Sequence, residues 1–470
     1  MNIAKMTALD IRTAISSKTI SAVEVMSDTL ARMDALEPAL NAFATATPAL
    51  AMDAARAADQ AVSHGQVLGP LQGIPISVKD LIHVGGVRTA FGSRTRANNI
   101  AEADAPSVER VRAAGAGIIG KTTTTEFGSK AAGAESPLTG VTHNPWNLQK
   151  SPGGSSAGAA ASVAAGITPF ALGTDGGGSI RIPASLCGLF GIKAQFGRVP
   201  VYPTSATPTL AHVGVLSRSV RDASLLAQTI SGYDPRDPAS VSEAVPDFMA
   251  ACDMPCKGMR IAWSPTLGYA KPTAEVLQIT ERAARRFEEL GCTVELVPHL
   301  FDDPVDLWTA EFYTGIGVTL WEEFQHKREL LDPDLAALLL NGFNETVESY
   351  YAKVFQRYRL RDQVRRFFQN YDLLLTPTLP VSSIDEGINV PQELPDRNIV
   401  SWSYYTYPFN LTGNPAASIP CGFDSEGMPV GLQMVAGFNR ETDLFKAAAR
   451  FEDAYPWADR MPILSSSDRF

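Results

Sequence analysis

Cysteine is scarce and scattered, with five among 470 residues, at Cys187, Cys252, Cys256, Cys292 and Cys421. An odd, irregular set makes a disulfide framework unexpected and suits a reducing, cytoplasmic setting. Cys252 and Cys256 form a lone Cys-x3-Cys without a second pair, so no metal site is expected there. Basic runs are missing as well. Net charge is −10, from 40 Lys+Arg against 50 Asp+Glu, which argues against a nucleic-acid partner. No run of about 18 apolar residues exists to span a membrane. Met1–Asp10 lacks the basic and apolar regions of a secretory signal. Histidines are few, and none of His83, His143, His212, His299 or His326 stands in a marked context. There is no internal repeat, low-complexity tail or long linker.

What is present suffices for a large core, since 45% of the chain is apolar. Ser21 reads as the N-cap of a helix over Ala22–Leu36, with Val25, Met26, Leu30 and Met33 at helical spacing and Pro38 past its end. An alanine-rich helix follows over Pro48–Val62. Residues 1–65 thus read as a helical arm that could pack on its own core or on a second copy, which leaves a homodimer open. Gly73–Ile82 reads as a buried strand carrying Lys79 at its C-terminal end. Ser107–Ala114 and Val220–Ile230 read as helices, and Gly117–Gly120 as a strand. Met259–Ser264, Thr273–Leu290 and Cys292–Val297 form a βαβ unit. Asp306–Arg365 is mostly helical, broken near Asp332-Pro333. Asp372–Thr376, Ala416–Pro420 and Pro429–Ala436 are apolar strands, and Thr442–Tyr455 is a closing helix. This alternation predicts an α/β class: one large domain over residues 1–470, with a mixed β-sheet.

Charge nearly vanishes from Lys150 to Gly191, where beyond Lys150 only Asp175 and Arg181 carry any. Two glycine–serine turns, Gly153-Gly-Ser-Ser156 and Gly176-Gly-Gly-Ser179, flank a helix expected over Ser156–Ala165 and a strand expected over Ile167–Leu172. Consecutive glycines let the backbone approach a ligand and turn several N–H groups one way. Ser179 follows at once, and a hydroxyl beside such donors is what acyl transfer needs. An isolated Gly-Gly-Gly-Ser would read as a tight turn. The second turn upstream shifts the balance.

Two other patterns match by letter. Gly115–Thr122 fits the phosphate loop G-x-x-x-x-G-K-[ST], which would make a nucleotide-binding protein. Its mechanism needs a strand before and a helix after, and here the order is reversed. Gly154-Ser-Ser-Ala-Gly158 fits the nucleophile elbow with Ser156 at its centre. An elbow needs a preceding strand, and a loop stands there instead.

Lys79 within Gly-Ile-Pro-Ile-Ser-Val-Lys-Asp, Ser155 within Ser-Pro-Gly-Gly-Ser-Ser, and Ser179 within Gly-Thr-Asp-Gly-Gly-Gly-Ser-Ile-Arg-Ile-Pro form a third constellation. In these segments the chain resembles the amidase-signature hydrolases. The resemblance continues through Cys187–Lys193, Gly197–Pro200, Gly413–Pro420 and Pro429–Met434, and thins between about Asp234 and Tyr371. Ala194-Gln195, Ala157 and Gly176 depart from the usual pattern, and Gly176 would alter the room beside the glycine turn.

The resemblance implies a fold with helices on both faces of the sheet and a Ser–cis-Ser–Lys triad. Ser179 would be the nucleophile, Ser155 the proton relay after a cis peptide, and Lys79 the base. Backbone N–H groups of Gly176, Gly177, Gly178 and Ser179 would hold the oxyanion. Asp175 and Arg181 would pair to order the turn, with a substrate carboxylate on Arg181 as the alternative. Thr125 and Ser156 would be structural or touch substrate. The signature core would span residues 73–220, and the divergent residues 234–371 would line the pocket. The substrate implied is a small-molecule amide, with no metal or other cofactor. A second reading within the same family is the glutaminase component of a tRNA-dependent amidotransferase. A neutral lysine requires a pKa well below its usual value near 10.4. The apolar run Ile74–Val78 supplies the burial that would lower it, while the influence of Asp80 depends on where its carboxylate points.

Overall fold

The computed structural model describes residues 2–464. The helix expected after Ser21 begins at its cap. Ser21 accepts the N–H of Glu24, while the Glu24 carboxylate accepts the N–H of Ser21, opening Ala22–Leu40. This helix passes the expected end at Leu36 and continues through Pro38. The buried Leu40 anchors the extra turn. The Glu37 carboxylate, accepting the N–H groups of Ala42 and Phe43, ties it to the following chain. The helices Ala8–Ser16, Ala22–Leu40 and Pro48–Ser63 bury Ile11, Ile15, Val25, Met26 and Ala55 in one core with Ile74 and Ile76. The arm therefore packs on its own chain. It is not wholly helical, because Phe43–Ala46 forms an edge strand.

That strand is β1. Next come β2 (Pro75–Lys79) and β3 (Gly117–Thr122), then a separate small hairpin of β4 (Glu135–Ser136) and β5 (Gly140–Val141). The sheet continues with β6 (Phe170–Asp175), β7 (Phe190–Lys193) and β8 (His212–Ser217). It is completed by β9 (Arg260–Trp263), β10 (Thr293–Leu296), β11 (Leu373–Pro377), β12 (Ala416–Phe423) and β13 (Pro429–Ala436). Eleven strands lie in the order β1-β3-β2-β6-β8-β7-β12-β13-β11-β9-β10, with parallel and antiparallel neighbours. Alternation along β11 shows the two-sided burial: Leu373 and Leu375 enter one core and Leu374 the other. Helices cover both faces, as expected.

One expected strand is shifted. The apolar run from Ile167 begins as a helix closure: Gly166 takes φ +68°, and the Ile167 N–H returns to the Ser162 carbonyl at 2.9 Å. β6 therefore starts at Phe170, past Pro169. In the divergent region the predicted break is present. Asp332 Oδ1 accepts the N–H groups of Asp334 and Leu335 and caps the helix Pro333–Phe343. Among the described residues no helix is long and apolar enough to cross a membrane.

The pairing of β2 with β6 positions the site. The two strands are parallel, with Val78 opposite Leu172, so they finish at the same edge of the sheet. β2 ends on Lys79 and β6 on Asp175. Carboxyl ends of parallel strands are where α/β sheets bind ligands.

Candidate active site

Lys79 is sealed from solvent. Its Nζ lies 2.7 Å from Ser155 Oγ and 2.8 Å from Thr174 Oγ1. Burial pushes this amine well below its usual pKa, and the Asp175 carboxylate pulls more weakly the other way. Asp80 does not oppose the shift. Its carboxylate turns to Lys121 Nζ at 3.1 Å and accepts the Ala90 N–H. Ser155 sits in the turn before helix Ala157–Ala164, and the Gly154–Ser155 peptide is cis. A Cβ on Gly154 would come within 2.6 Å of the Lys130 carbonyl, so only glycine fits there.

The chain leaves β6 into the glycine turn with two carbonyls pinned. Trp308 Nε1 donates to the Gly176 carbonyl at 2.8 Å, and Thr406 Oγ1 donates to that of Gly177 at 2.6 Å. Among the described residues the N–H groups of Gly176, Gly177 and Ser179 have no partner, which leaves them for a ligand. Gly178 departs from the expected set. Its N–H donates to Asp175 Oδ1 at 2.8 Å, because the buried carboxylate needs donors of its own. The expected four donors therefore narrow to three.

Arg181 is buried beneath this turn. It meets Asp175 through Nε at 3.0 Å and Nη2 at 2.9 Å. Its remaining bonds go to the Thr406 carbonyl, Gln433 Oε1 and Asn410 Oδ1. Every bond runs into the interior, and no donor is left for a substrate carboxylate. Burial alone would raise the Asp175 carboxyl, but Arg181, Lys193 and Asn410 together outweigh it and hold that group well below the usual range. Ser156 Oγ bonds the backbone of Thr174 and is tied to β6. Thr125 is buried, accepts the Lys130 N–H, and lies under Gly154. Neither is among the described residues that line the cavity over the strand ends.

A cavity of about 240 Å³ opens over the strand ends, and both Ser155 and Ser179 line it. No hydrogen bond joins their hydroxyls. Phe91, Phe127, Phe312 and Tyr202 give the lining an aromatic character. Its charged member is Arg96, which pairs with Glu323. His83 and His212 also line it, and burial lowers the pKa of each. From residues 234–371, expected to line the pocket, Phe312 and Thr319 line this cavity among the described residues. Most of the wall comes from residues 81–128 and 200–213. The connection between the neighbouring strands β7 and β8, residues 194–211, crosses the sheet edge and contributes to that wall.

The competing motifs dissolve in the fold. Gly117–Thr122 is the fully buried strand β3, with Lys121 held by Asp80 and Thr89. Ser156 follows a loop, not a strand. Trp308, Thr406, Asn410 and Gln433 were not legible in the sequence, since each reaches the site from more than a hundred residues away.

A mixed sheet with a dry lysine, a serine against it and a glycine turn of unpaired N–H groups defines a hydrolytic enzyme of the acyl-transfer class. The chain belongs to the amidase family, whose model, described as Amidase, matches residues 24–445. It is 35% identical to the acylamidase of Rhodococcus erythropolis, covering 98% of each chain. It is 34% identical to a glutamyl-tRNA(Gln) amidotransferase component from Moorella thermoacetica, covering 99% of each. A bacterial aryl acylamidase of the amidase-signature family superposes with TM-score 0.90 at 29% identity, over 96% of this chain and 97% of that one. 6-Aminohexanoate cyclic dimer hydrolase in complex with substrate gives TM-score 0.89 at 27% identity, over 98% and 99%. The protein is an amide C–N hydrolase.

Proposed function

We propose that the chain hydrolyses small-molecule amides through an acyl-enzyme on Ser179. The observation that carries this is the buried Lys79 amine at 2.7 Å from Ser155 Oγ. Neutral Lys79 takes the Ser155 proton as Ser155 takes that of Ser179, and the Ser179 oxygen bonds to the amide carbon. The N–H groups of Gly176, Gly177 and Ser179 hold the oxyanion. The C–N bond then breaks, and the leaving nitrogen recovers the proton through Ser155. Water attacks the ester by the same route in reverse, releasing the acid and freeing Ser179. No step draws on a cofactor.

The glutaminase reading has relatives of similar identity. The lining of the cavity favours the stand-alone enzyme. Among the described lining residues no carboxylate is present to meet the ammonium of a free amino acid. The reading places the enzyme in the cytoplasm, which the five buried, unpaired cysteines support. A homodimer has support in Tyr351, Phe355 and Tyr358, exposed along helix Val347–Phe367. The test is an amide panel with mass-spectrometric trapping of the adduct. An acyl group on Ser179 is expected, and an adduct on Ser156 or none at all would refute the assignment.

A further inference from the structure

Two phenylalanines in the cavity hold backbone conformations that bulky residues rarely adopt. Phe91 and Phe127 have φ of +56° and +49°, and each precedes a glycine that is also left-handed, Gly92 at +64° and Gly128 at +73°. Turns of this hand favour Gly, Asn or Asp, and a phenylalanine there is an outlier. The two turns are locked together. The Phe127 N–H donates to the Phe91 carbonyl at 2.8 Å. Ser93 Oγ, beyond the first turn, donates to Glu126 Oε1 at 2.6 Å, and the Asp332 N–H donates to Glu126 Oε2 at 2.6 Å. The rings stack with centroids 5.6 Å apart and planes 12° apart, and His83 meets Phe91 edge-on. Strained backbone held this firmly by its surroundings gathers at functional sites.

The stack also has a defined side. A Cβ on Gly128, next to Phe127, would lie 3.1 Å from Ser155 Oγ. The nest is walled by other residues: a Cβ on Gly176 would lie 3.1 Å from the Phe312 ring and 3.7 Å from Thr207 Oγ1. If Ser155 returns the proton to the departing nitrogen, that nitrogen stands on the Gly128 side. Its substituent then meets Phe91 and Phe127, and the acyl group extends toward Phe312 and Thr207.

We propose that the Phe91–Phe127 stack is the specificity wall for the leaving amine, and that the substrates are amides of aromatic amines, whose ring packs on these faces. The proposal rests on the proton route assigned to Ser155. Anilide cleavage follows the sequence above: the C–N bond breaks, the nitrogen takes the proton from Ser155 and leaves as the neutral arylamine, and the acyl group stays on Ser179.

Two amides separate the sides: acetanilide, with its ring on the leaving nitrogen, and benzamide, with its ring on the acyl group. In Phe127→Ala, kcat/KM for acetanilide is expected to fall roughly 10- to 100-fold, the scale of lost apolar and ring contacts in a pocket. Benzamide should change by less than about threefold, within the scale of losing a distant contact. Hydrolysis of the acetyl-enzyme formed from acetanilide should keep its wild-type rate in the variant, because the aryl amine has already left. Phe91→Leu, which keeps apolar bulk without a ring face, should show the same preference in weaker form. The ratio of the two substrates also guards against misfolding, which would lower both alike. A loss on benzamide equal to or greater than that on acetanilide overturns the proposal but leaves the Ser179 adduct intact. A wild-type enzyme that cleaves neither amide and forms no Ser179 adduct overturns the underlying reading as well.

Discussion

Lys79 Nζ and Ser155 Oγ lie 2.7 Å apart in a site closed to solvent, and Thr174 Oγ1 holds the amine from the other side at 2.8 Å. This contact crosses from β2 to the turn before helix Ala157–Ala164, with β6 as the shared neighbour. If it is the proton route, Lys79→Ala, Ser155→Ala and Ser179→Ala should each lower kcat/KM for amides by at least about 10³-fold, with folding retained. Circular dichroism and steady-state rates check this. Substantial turnover by Ser179→Ala would remove the nucleophile assignment.

The pH profile should follow the lysine. Only the neutral amine accepts a proton, so activity is absent below its pKa and rises through it. Burial sets that pKa well below the usual lysine value. The rising limb of kcat/KM should therefore lie far below pH 10 and disappear with Lys79. A limb at the ordinary lysine value would show that the amine is solvated in solution.

The glycines of the nest should not tolerate methyl groups equally. A Cβ on Gly177 would sit 2.5 Å from Trp308 Cζ2, and Trp308 also pins the Gly176 carbonyl. Gly177→Ala should displace that ring and cost on the order of 10²-fold in kcat, the scale of losing an oxyanion donor. A Cβ on Gly176 meets nothing nearer than the edge of Phe312, at 3.1 Å, so Gly176→Ala should cost less. Kinetics on one amide orders the two, and the reverse order would displace Trp308 from its role.

Part of this candidate site is legible in the sequence. Lys79, Ser155 and Ser179 each sit in a local pattern of glycine, proline and small residues, and local patterns survive in sequence. Asp175 and Arg181 stood out as the only charges past Lys150 in an apolar stretch, but their pairing was implied by the family resemblance and not by that pattern. What escaped came from afar. Trp308 and Thr406 fix the direction of the nest, yet nothing near them in the chain marks either one. The Gly178 donor was wrongly included because a sequence does not show that the Asp175 carboxylate folds back onto it. The β7–β8 connection, which lines much of the cavity, carried no mark of that role in the sequence. β7 and β8 themselves were missed among short apolar runs rich in glycine.

Arg181 should matter for stability more than for binding. Its guanidinium compensates a carboxylate with no access to water. Arg181→Met would strand Asp175 as a buried charge, at a cost of about 3–5 kcal/mol. Arg181→Lys should recover little, since one ammonium cannot span Asp175, Gln433 and Asn410 together. Chemical denaturation checks both. A near-wild-type Arg181→Met that lost only affinity for acidic amides would instead favour a substrate-binding arginine.

Lys79 also links stability to pH, and the sign follows from its lowered pKa. Between the folded value and the unfolded value near 10.4, the unfolded chain carries a proton on this amine that the folded chain does not. Stability therefore rises with pH across that window, by at most about 1.4 kcal/mol per pH unit for this one group. Lys79→Met removes the contribution. It also leaves Ser155 Oγ and Thr174 Oγ1 short of a partner, but that cost does not vary with pH. The free-energy difference between wild type and Lys79→Met should thus shift in favour of wild type as pH rises from the lowered folded value toward the unfolded one. Urea titrations at several pH values measure it. A constant difference over that range would mean that the ammonium keeps its proton in the fold, and Lys79 could then not serve as the base.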